Sequence, residues 1–311
     1  EESNETRLRN KHLMVSMNEL AGNEALIDFS LLVSDPKVIN PISVVSVYPN
    51  NEYAERMIRK SRKSLEEIVK HFSGHESKIN TIATIDFNLS SGIARVSKEL
   101  VTDIVVINDS RTMNLLKRVV GDDREHLLDV CDKTIFFCQF EKPFVSYNRI
   151  LVVCPLLAEL ESSFNLWVER VLRFSKELNC PIDLYASEAT FEKWLKVGEV
   201  NKINVKCNFF IIEELDDFFL LNGRKSADDL FVFCAARKGA ISYQVGVDAF
   251  PSKFERGYPE NDTLIIFPSQ NTVENIYGNY DDFDSSAISK GVEAFQKIGK
   301  EVGNIFKKEE K

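Results

Sequence analysis

Apolar residues occur along most of this 311-residue chain as short runs, separated by stretches in which apolar positions recur every three or four residues. The short runs predict strands, and the three- and four-residue spacing predicts amphipathic helices. Strands that alternate with helices form βαβ units, which build a parallel sheet with helices on both faces. The run at 104–107, Ile-Val-Val-Ile, is typical of a parallel strand covered on both faces. The pattern therefore predicts an α/β fold.

The pattern of strands and helices occurs twice. The predicted strands are residues 13–17, 42–48, 79–85, 104–107 and 134–138, followed by 149–154, 182–186, 205–212, 230–234 and 264–267. The predicted helices are residues 23–33, 51–72, 91–100, 115–130, 164–178 and 191–197. We therefore expect two tandem, doubly wound, five-stranded parallel-sheet domains, at 10–142 and 148–270. The linker between them is too short to let two domains move freely.

The C-terminal segment differs from the rest, and residues 284–308 are predicted to form an amphipathic helix. Its apolar residues at three- and four-residue steps are Ile288, Val292, Phe295, Ile298, Val302, Ile305 and Phe306. This stripe would pack either on the protein itself or a second copy, or on a membrane surface or another part of a larger protein.

Composition excludes some classes of partner. The net charge is −9, from 39 basic and 48 acidic side chains, which argues against nucleic acid and against an anionic membrane surface. No run approaches the roughly 18 apolar residues of a spanning helix, so we expect a soluble chain. The sequence begins at Glu1 and its first methionine is Met14, so we also expect it to be part of a longer protein.

The six cysteines favour a reducing compartment. None forms a Cys-x-x-Cys pair, and most fall in strand-like apolar runs, where cysteine behaves as a small buried hydrophobe. They are Cys131, Cys138, Cys154, Cys180, Cys207 and Cys234.

Residues 91–107 resemble the universal stress protein family, in which a helix ending in an acidic residue leads into the fourth strand. In that family a phosphate-binding loop follows the strand, with the spacing Gly, two residues, Gly, nine residues, then Gly and Ser or Thr. The resemblance places Asn108, Arg111 and Gly121 at the three glycine positions of the first half, and Asp122 at the hydroxyl position. Met17 and Asn18 stand where the family usually has a nucleotide-facing aspartate.

The second half carries a partial version of the same loop at 236–243. Ala236 and Gly239 match the first two small positions, whereas Ala249 falls at the third and no Gly-Ser follows. Cys154 and Pro155 replace the aspartate after the first strand. The resemblance implies a nucleotide or another anion as the ligand, but neither loop is complete.

Segments of the second half resemble the cytoplasmic tails of bacterial Na+/H+ or K+/H+ antiporters. These segments are 149–155 with the following Glu159 and Glu161, 229–243, and 258–268. The resemblance implies a regulatory domain at the cytoplasmic face of the bacterial inner membrane. Its partners would be the membrane transport domain of the same polypeptide and a second copy in a homodimer.

The candidate ligand residues of the second half are Arg237, Lys238, Gly239 and Ser242, in the loop after a parallel strand. Two cations and a flexible backbone can hold a phosphate at a sheet edge. The alternative is a solvated turn or a contact between the two halves. His71 and His75 have helical metal-ligand spacing, but Ser73-Gly74 between them predicts a helix end. We expect no metal there.

No complete catalytic motif is present, because the sequence has no Gly-x-Ser-x-Gly elbow, P-loop or full dinucleotide fingerprint. The sequence therefore predicts a regulatory domain of a cation:proton antiporter that is not an enzyme. The alternative is a free-standing tandem universal stress protein that binds ATP or another nucleotide.

Overall fold

The computed structural model describes residues 11–17, 23–35, 40–72, 78–109, 123–222 and 226–270. Its strands are β1 Leu13–Ser16, β2 Ile42–Pro49, β3 Ile79–Asp86, β4 Ile104–Asn108, β5 Thr134–Gln139, β6 Arg149–Val153, β7 Ile182–Ala186, β8 Cys207–Ile211, β9 Asp229–Cys234 and β10 Thr263–Phe267. Its helices are α1 Glu24–Val33, α2 Ala54–His71, α3 Leu89–Glu99, α4 Asp123–Val130, α5 Phe164–Leu178, α6 Glu188–Val200, α7 Asp217–Leu221 and α8 Phe250–Gly257. Within these residues, no helix is both long enough and apolar enough to cross a membrane.

All ten strands belong to one sheet, in the order β3-β2-β1-β4-β5-β10-β9-β6-β7-β8. The first half (β1 to β5) and the second half (β6 to β10) repeat one strand order, and within each half every pair is parallel. The halves meet where β5 and β10 pair antiparallel, with Phe137 opposite Ile265. This corrects our expectation of two separate sheets, because edge strands with unpaired backbone groups can pair across a repeat.

The residues of each strand alternate between two apolar layers, as the two-residue period of a strand requires. Leu13 and Val15 face a layer that also contains Phe29 of α1 and Trp167 of α5. Met14, between them in sequence, faces the opposite layer. The first layer is covered by α1, α2, α5 and α6, and the second by α3, α4, α7 and α8. The core is therefore continuous across both halves.

Contacts between α1 and α5 join the halves on one face. The rings of Phe29 and Phe174 meet edge to face at 5.1 Å. Arg173 forms an ion pair with Asp35 at 2.6 Å and with Glu169 at 3.0 Å. Glu169 also pairs with Lys11 at 2.5 Å. These charged groups lie over the junction and stabilise it together with the aromatic contact.

A second set of polar contacts orders the chain between the halves. The Asp262 carboxylate, just before β10, accepts hydrogen bonds from the backbone N–H groups of Glu141 and Lys142 at 3.1 and 3.0 Å. It also accepts one from the Tyr147 hydroxyl at 2.7 Å. Burial and this acceptor raise the pKa of Tyr147 above its ordinary value. The crossover from β5 to β6 is thus fixed to β10.

The sequence prediction placed all ten strands but missed parts of the helical layer. Helix α6 is longer than predicted because Ser187 caps it, accepting a hydrogen bond from the Thr190 N–H at 3.2 Å. Helix α7 has five residues, too few for a periodicity to be recognised. Of the predicted helix 115–130, the described part runs from Asp123. The predicted tail helix 284–308 lies outside the described residues, and the domain limits stay a prediction.

Candidate functional site

The candidate site lies at the carboxyl edge of the second half, where β6 is flanked by β9 and β7. The chain runs from β6 outward to β7 and β8, then returns to the other side of β6 as β9. Ligands of doubly wound sheets bind at such a switch point. A cleft of about 430 Å³ opens there, which is within the range of small-molecule sites, roughly 300 to 1,000 Å³.

The walls of the cleft come from three segments that follow β6, β7 and β9. Apolar side chains of Leu156, Leu157 and Ile241 line it, together with Tyr243, and the three aliphatic residues are exposed. The Tyr243 hydroxyl donates a hydrogen bond to Asp248 at 2.5 Å. Aliphatic and aromatic side chains left in water at one edge favour a ligand with an apolar face.

Leu157 has a left-handed backbone conformation, with φ of +65° and ψ of 13°. Such a conformation costs a bulky residue roughly 1–2 kcal/mol. It redirects the chain after β6 into the short 3-10 helix Ala158–Leu160. This turn of the chain places Glu159 against α6 and Glu161 against the loop after β9.

Glu159 lines the cleft although only 8% of its surface is exposed. Its carboxylate accepts a hydrogen bond from the Thr190 hydroxyl at 2.7 Å. Lys193 donates to the backbone carbonyl oxygen of Glu159 at 2.7 Å and does not hydrogen bond its carboxylate. Burial lowers the pKa of Lys193, while the nearby charge of Glu159 opposes this shift. The cleft therefore has an acidic group in its wall.

Ser242 also lines the cleft, and its two donors are directed to Glu161. The Ser242 backbone N–H and hydroxyl both bind the Oε1 atom of Glu161, at 3.0 and 2.6 Å. Both residues are buried. One carboxylate oxygen therefore connects the segment after β6 to the loop after β9.

Arg237, a predicted anion contact, is buried and its guanidinium faces the first half. It donates to the backbone carbonyl oxygens of four residues at 2.5 to 2.8 Å: Leu128, Cys131, Lys133 and Pro268. Burial lowers its pKa, but arginine remains charged in proteins. Arg237 thus lies in the contact between the halves, which is the alternative that the sequence analysis offers for this loop.

Lys238 and Gly239 occupy a turn beside this contact. The turn is closed by a hydrogen bond from the Ala240 N–H to the Arg237 carbonyl oxygen at 3.0 Å. Gly239 is its third residue and has a φ of +84°, a conformation that favours glycine there. Lys238 points to solvent, 73% exposed, and lies 3.5 Å from Glu125. Neither residue lines the cleft, whereas Ser242 does.

The predicted site of the first half is described only in part. The Asn108 side chain, at the end of β4, donates a hydrogen bond to the side-chain oxygen of Asn23. Asp109 follows and pairs with Arg124 at 3.3 Å. Arg111 and Gly121 lie outside the described residues. Of the five candidates that the structure describes, Ser242 alone lines the cleft, and the ligand role of all seven stays a prediction.

Sequence reasoning missed the pairing of Glu161 with Ser242 and the position of Glu159. Both glutamates follow the first strand of their half, in a segment that the sequence singled out only as a resemblance. The sequence does carry a signal for these two glutamates, because acidic residues stand shortly after a strand at the switch point. Among the described residues, no group of His, Cys, Asp and Glu is arranged to hold a metal, and His75 lies outside them.

The strand order and the cleft define a doubly wound α/β fold of the universal stress protein type. A universal stress protein from Archaeoglobus fulgidus DSM 4304 superimposes with a TM-score of 0.53 at 14% identity, over 85% of this chain and 99% of that one. The cytoplasmic domain of a prokaryotic cation chloride cotransporter superimposes with a TM-score of 0.51 at 10% identity, over 82% and 95%. No family model and no curated protein matches the sequence. These likenesses show the fold.

Proposed function

We propose that this chain is the cytoplasmic regulatory domain of a bacterial monovalent cation:proton antiporter and that the cleft receives its effector. One observation carries the proposal. The segments that resemble antiporter tails are 149–155, 229–243 and 258–268. They contain β6, β9 with the first part of its loop, and β10. They therefore build the cleft and the junction beside it. The cytoplasmic domain of a prokaryotic cation chloride cotransporter has a similar fold, which supports the proposal.

The loop after β9 offers a physical route from the cleft to the first half. Ile241 and Ser242 line the cleft, and Arg237, a few residues earlier, binds carbonyl oxygens of the first half. A ligand that binds one position of this loop more tightly would shift the population of junction states. Regulation of a transport domain requires such a difference in affinity between two states.

Binding fits the cleft better than catalysis. Ser242 is a serine of the cleft wall with a carboxylate partner, but it is only 1% exposed and its proton is donated to Glu161. A nucleophile must reach the substrate, and a buried serine held by two hydrogen bonds does not. We therefore propose that the domain is not an enzyme.

Transport measurements on the complete gene product test the regulatory role. Everted membrane vesicles report cation-dependent proton exchange. The variant Ala189→Trp would fill the cleft, because Ala189 lines it and is exposed. We expect the apparent cation affinity or the maximal rate to change about fivefold or more, within the usual range of coupling. Val200→Trp, at the exposed end of the same helix, is the matched control and should leave transport unchanged.

Two results would overturn the regulatory proposal. One is a complete gene product that lacks a membrane transport domain. The other is transport that is identical in the wild type, Ala189→Trp and a form without this chain.

The alternative function, a nucleotide-binding tandem stress protein, draws on the likeness that spans 99% of the Archaeoglobus protein. It predicts that ATP, ADP or AMP binds the purified chain. Calorimetry that detects heat of binding with ATP would favour it over the regulatory proposal.

A further inference from the structure

We propose that the cleft selects an uncharged or cationic ligand that carries hydrogen-bond donors, and that the Glu161 carboxylate occupies the position where the fold would otherwise hold a phosphate. This inference rests on the proposed function, because it names the chemical class of the effector.

The donors that could hold a phosphate are engaged by a carboxylate. Phosphates at a strand-to-helix turn bind backbone N–H groups and a hydroxyl. Here the Ser242 N–H and hydroxyl both donate to Glu161 Oε1, at 3.0 and 2.6 Å. Glu161 is only 8% exposed, so its carboxylate is an internal part of the structure. An incoming phosphate would have to displace a buried group of the same charge.

One residue of the cleft wall, Glu159, is acidic. Its carboxylate receives one hydrogen bond, from Thr190, within the described part of the chain. A carboxylate accepts about four hydrogen bonds, so Glu159 keeps acceptor capacity for a ligand. Buried charge attracts an opposite charge or a donor and repels an anion.

The basic groups of the adjoining segments are directed elsewhere. None of the described residues that line the cleft is Lys or Arg. Lys193 donates to the Glu159 backbone, and Arg237 donates to four backbone carbonyl oxygens. A negative ligand would therefore meet Glu159 in a wall without a basic group, next to Ser242, whose donors are held by the Glu161 carboxylate. A donor-bearing ligand would pair with Glu159 and pack its apolar face on Leu157 and Tyr243.

Matched pairs of probes on the purified 311-residue chain test this selectivity. Adenosine and AMP differ by a phosphate, and tyramine and 4-hydroxyphenylpropionate differ in the sign of their charge. Calorimetry or ligand-observed NMR at millimolar concentration gives the affinities. We expect the member without negative charge to bind about tenfold or more tightly in each pair.

Variants then assign the effect to residues. Glu159→Gln keeps the shape but removes the charge, and should weaken tyramine binding about fivefold or more. Glu192→Gln, at an exposed position of α6, is the control and should not. Glu161→Ala should increase the affinity for AMP, because it frees the donors of Ser242. The wild-type comparison requires no variant, so the test survives if Glu161→Ala does not fold.

The inference is overturned if AMP or 4-hydroxyphenylpropionate binds the wild type as tightly as its partner, or if no probe of either pair binds. The vesicle experiment decides the regulatory role separately. A purified chain that selects tyramine but a transporter that ignores Ala189→Trp would reject the proposed function and retain the ligand class.

Discussion

Arg237 in the loop after β9 donates a hydrogen bond of 2.8 Å to the backbone carbonyl oxygen of Cys131, which lies 106 residues earlier in the first half. The same guanidinium binds Leu128 and Lys133 beside it, and Pro268 of its own half. Carbonyl oxygens at helix and strand ends lack regular partners, and this side chain supplies them. One residue therefore connects the loop of the cleft to the β5 side of the junction.

We expect Arg237→Met to lower the free energy of unfolding by about 3 kcal/mol or more, because buried carbonyl oxygens lose charged donors. Lys238→Met, next in sequence and exposed, should change it by less than about 0.5 kcal/mol. Urea unfolding followed by circular dichroism gives both values. Equal stabilities for Arg237→Met and the wild type would show that the contact between halves contributes nothing.

The Glu169 side chain is 1% exposed and pairs with Lys11 and Arg173. We therefore expect protonation of Glu169 to lower the stability of the junction in acid. Burial alone would raise its pKa, but the charges of Lys11 and Arg170 outweigh burial and lower it. A carboxyl with a lowered pKa contributes stability above its unfolded pKa, about 4.3. That contribution is lost as the pH falls through the folded pKa.

We expect Glu169→Gln to reduce the free energy of unfolding by about 2–3 kcal/mol at pH 7, because one partner of a buried ion pair is removed. The difference from the wild type should shrink as the pH falls below 4.3, the approximate unfolded pKa. Urea midpoints at several pH values measure it. A difference independent of pH would contradict the assignment.

Gly92 allows α3 to approach β2 closely. A Cβ atom at this position would overlap Val47 Cγ1 and lie 3.0 Å from Asp86 Cβ. Gly92→Ala should therefore cost about 1–3 kcal/mol by overpacking. Gly257→Ala, at the end of α8 with open space around it, should be neutral or stabilise by up to about 1 kcal/mol. Thermal unfolding measures the stability of both variants. Equal stabilities for Gly92→Ala and Gly257→Ala would contradict the overpacking argument.

Val101 follows α3 with a φ of +51° and is 75% exposed. A β-branched residue is disfavoured in this left-handed conformation, which glycine adopts without strain. Val101→Gly should increase the free energy of unfolding by about 1 kcal/mol. Asn179→Gly, at the left-handed end of α5, should change it less because asparagine tolerates the conformation. A loss of stability in Val101→Gly would refute the strain argument.

The strands could be predicted because each is a run of apolar residues, as in Ile104 to Ile107, and such runs carry their own signal. The pairing of β5 with β10 could not, because Phe137 and Ile265 look like any other buried strand residues. Arg237 was ambiguous for the same reason, since its partners are carbonyl oxygens, which no sequence displays. The role of Glu161 could not be predicted, because its partner Ser242 is 81 residues away in the sequence and only the fold brings the two together.

The antiparallel pairing of β5 with β10 joins two copies of one architectural unit, and both copies belong to the same polypeptide. In an assembly of identical subunits, any substitution appears in every copy. A residue that changes at one end of the sheet therefore also changes at the other end. Here Cys154 follows β6 while Met17 follows β1, so the corresponding positions are free to differ. Covalent linkage thus permits division of labour between the two ends of one sheet.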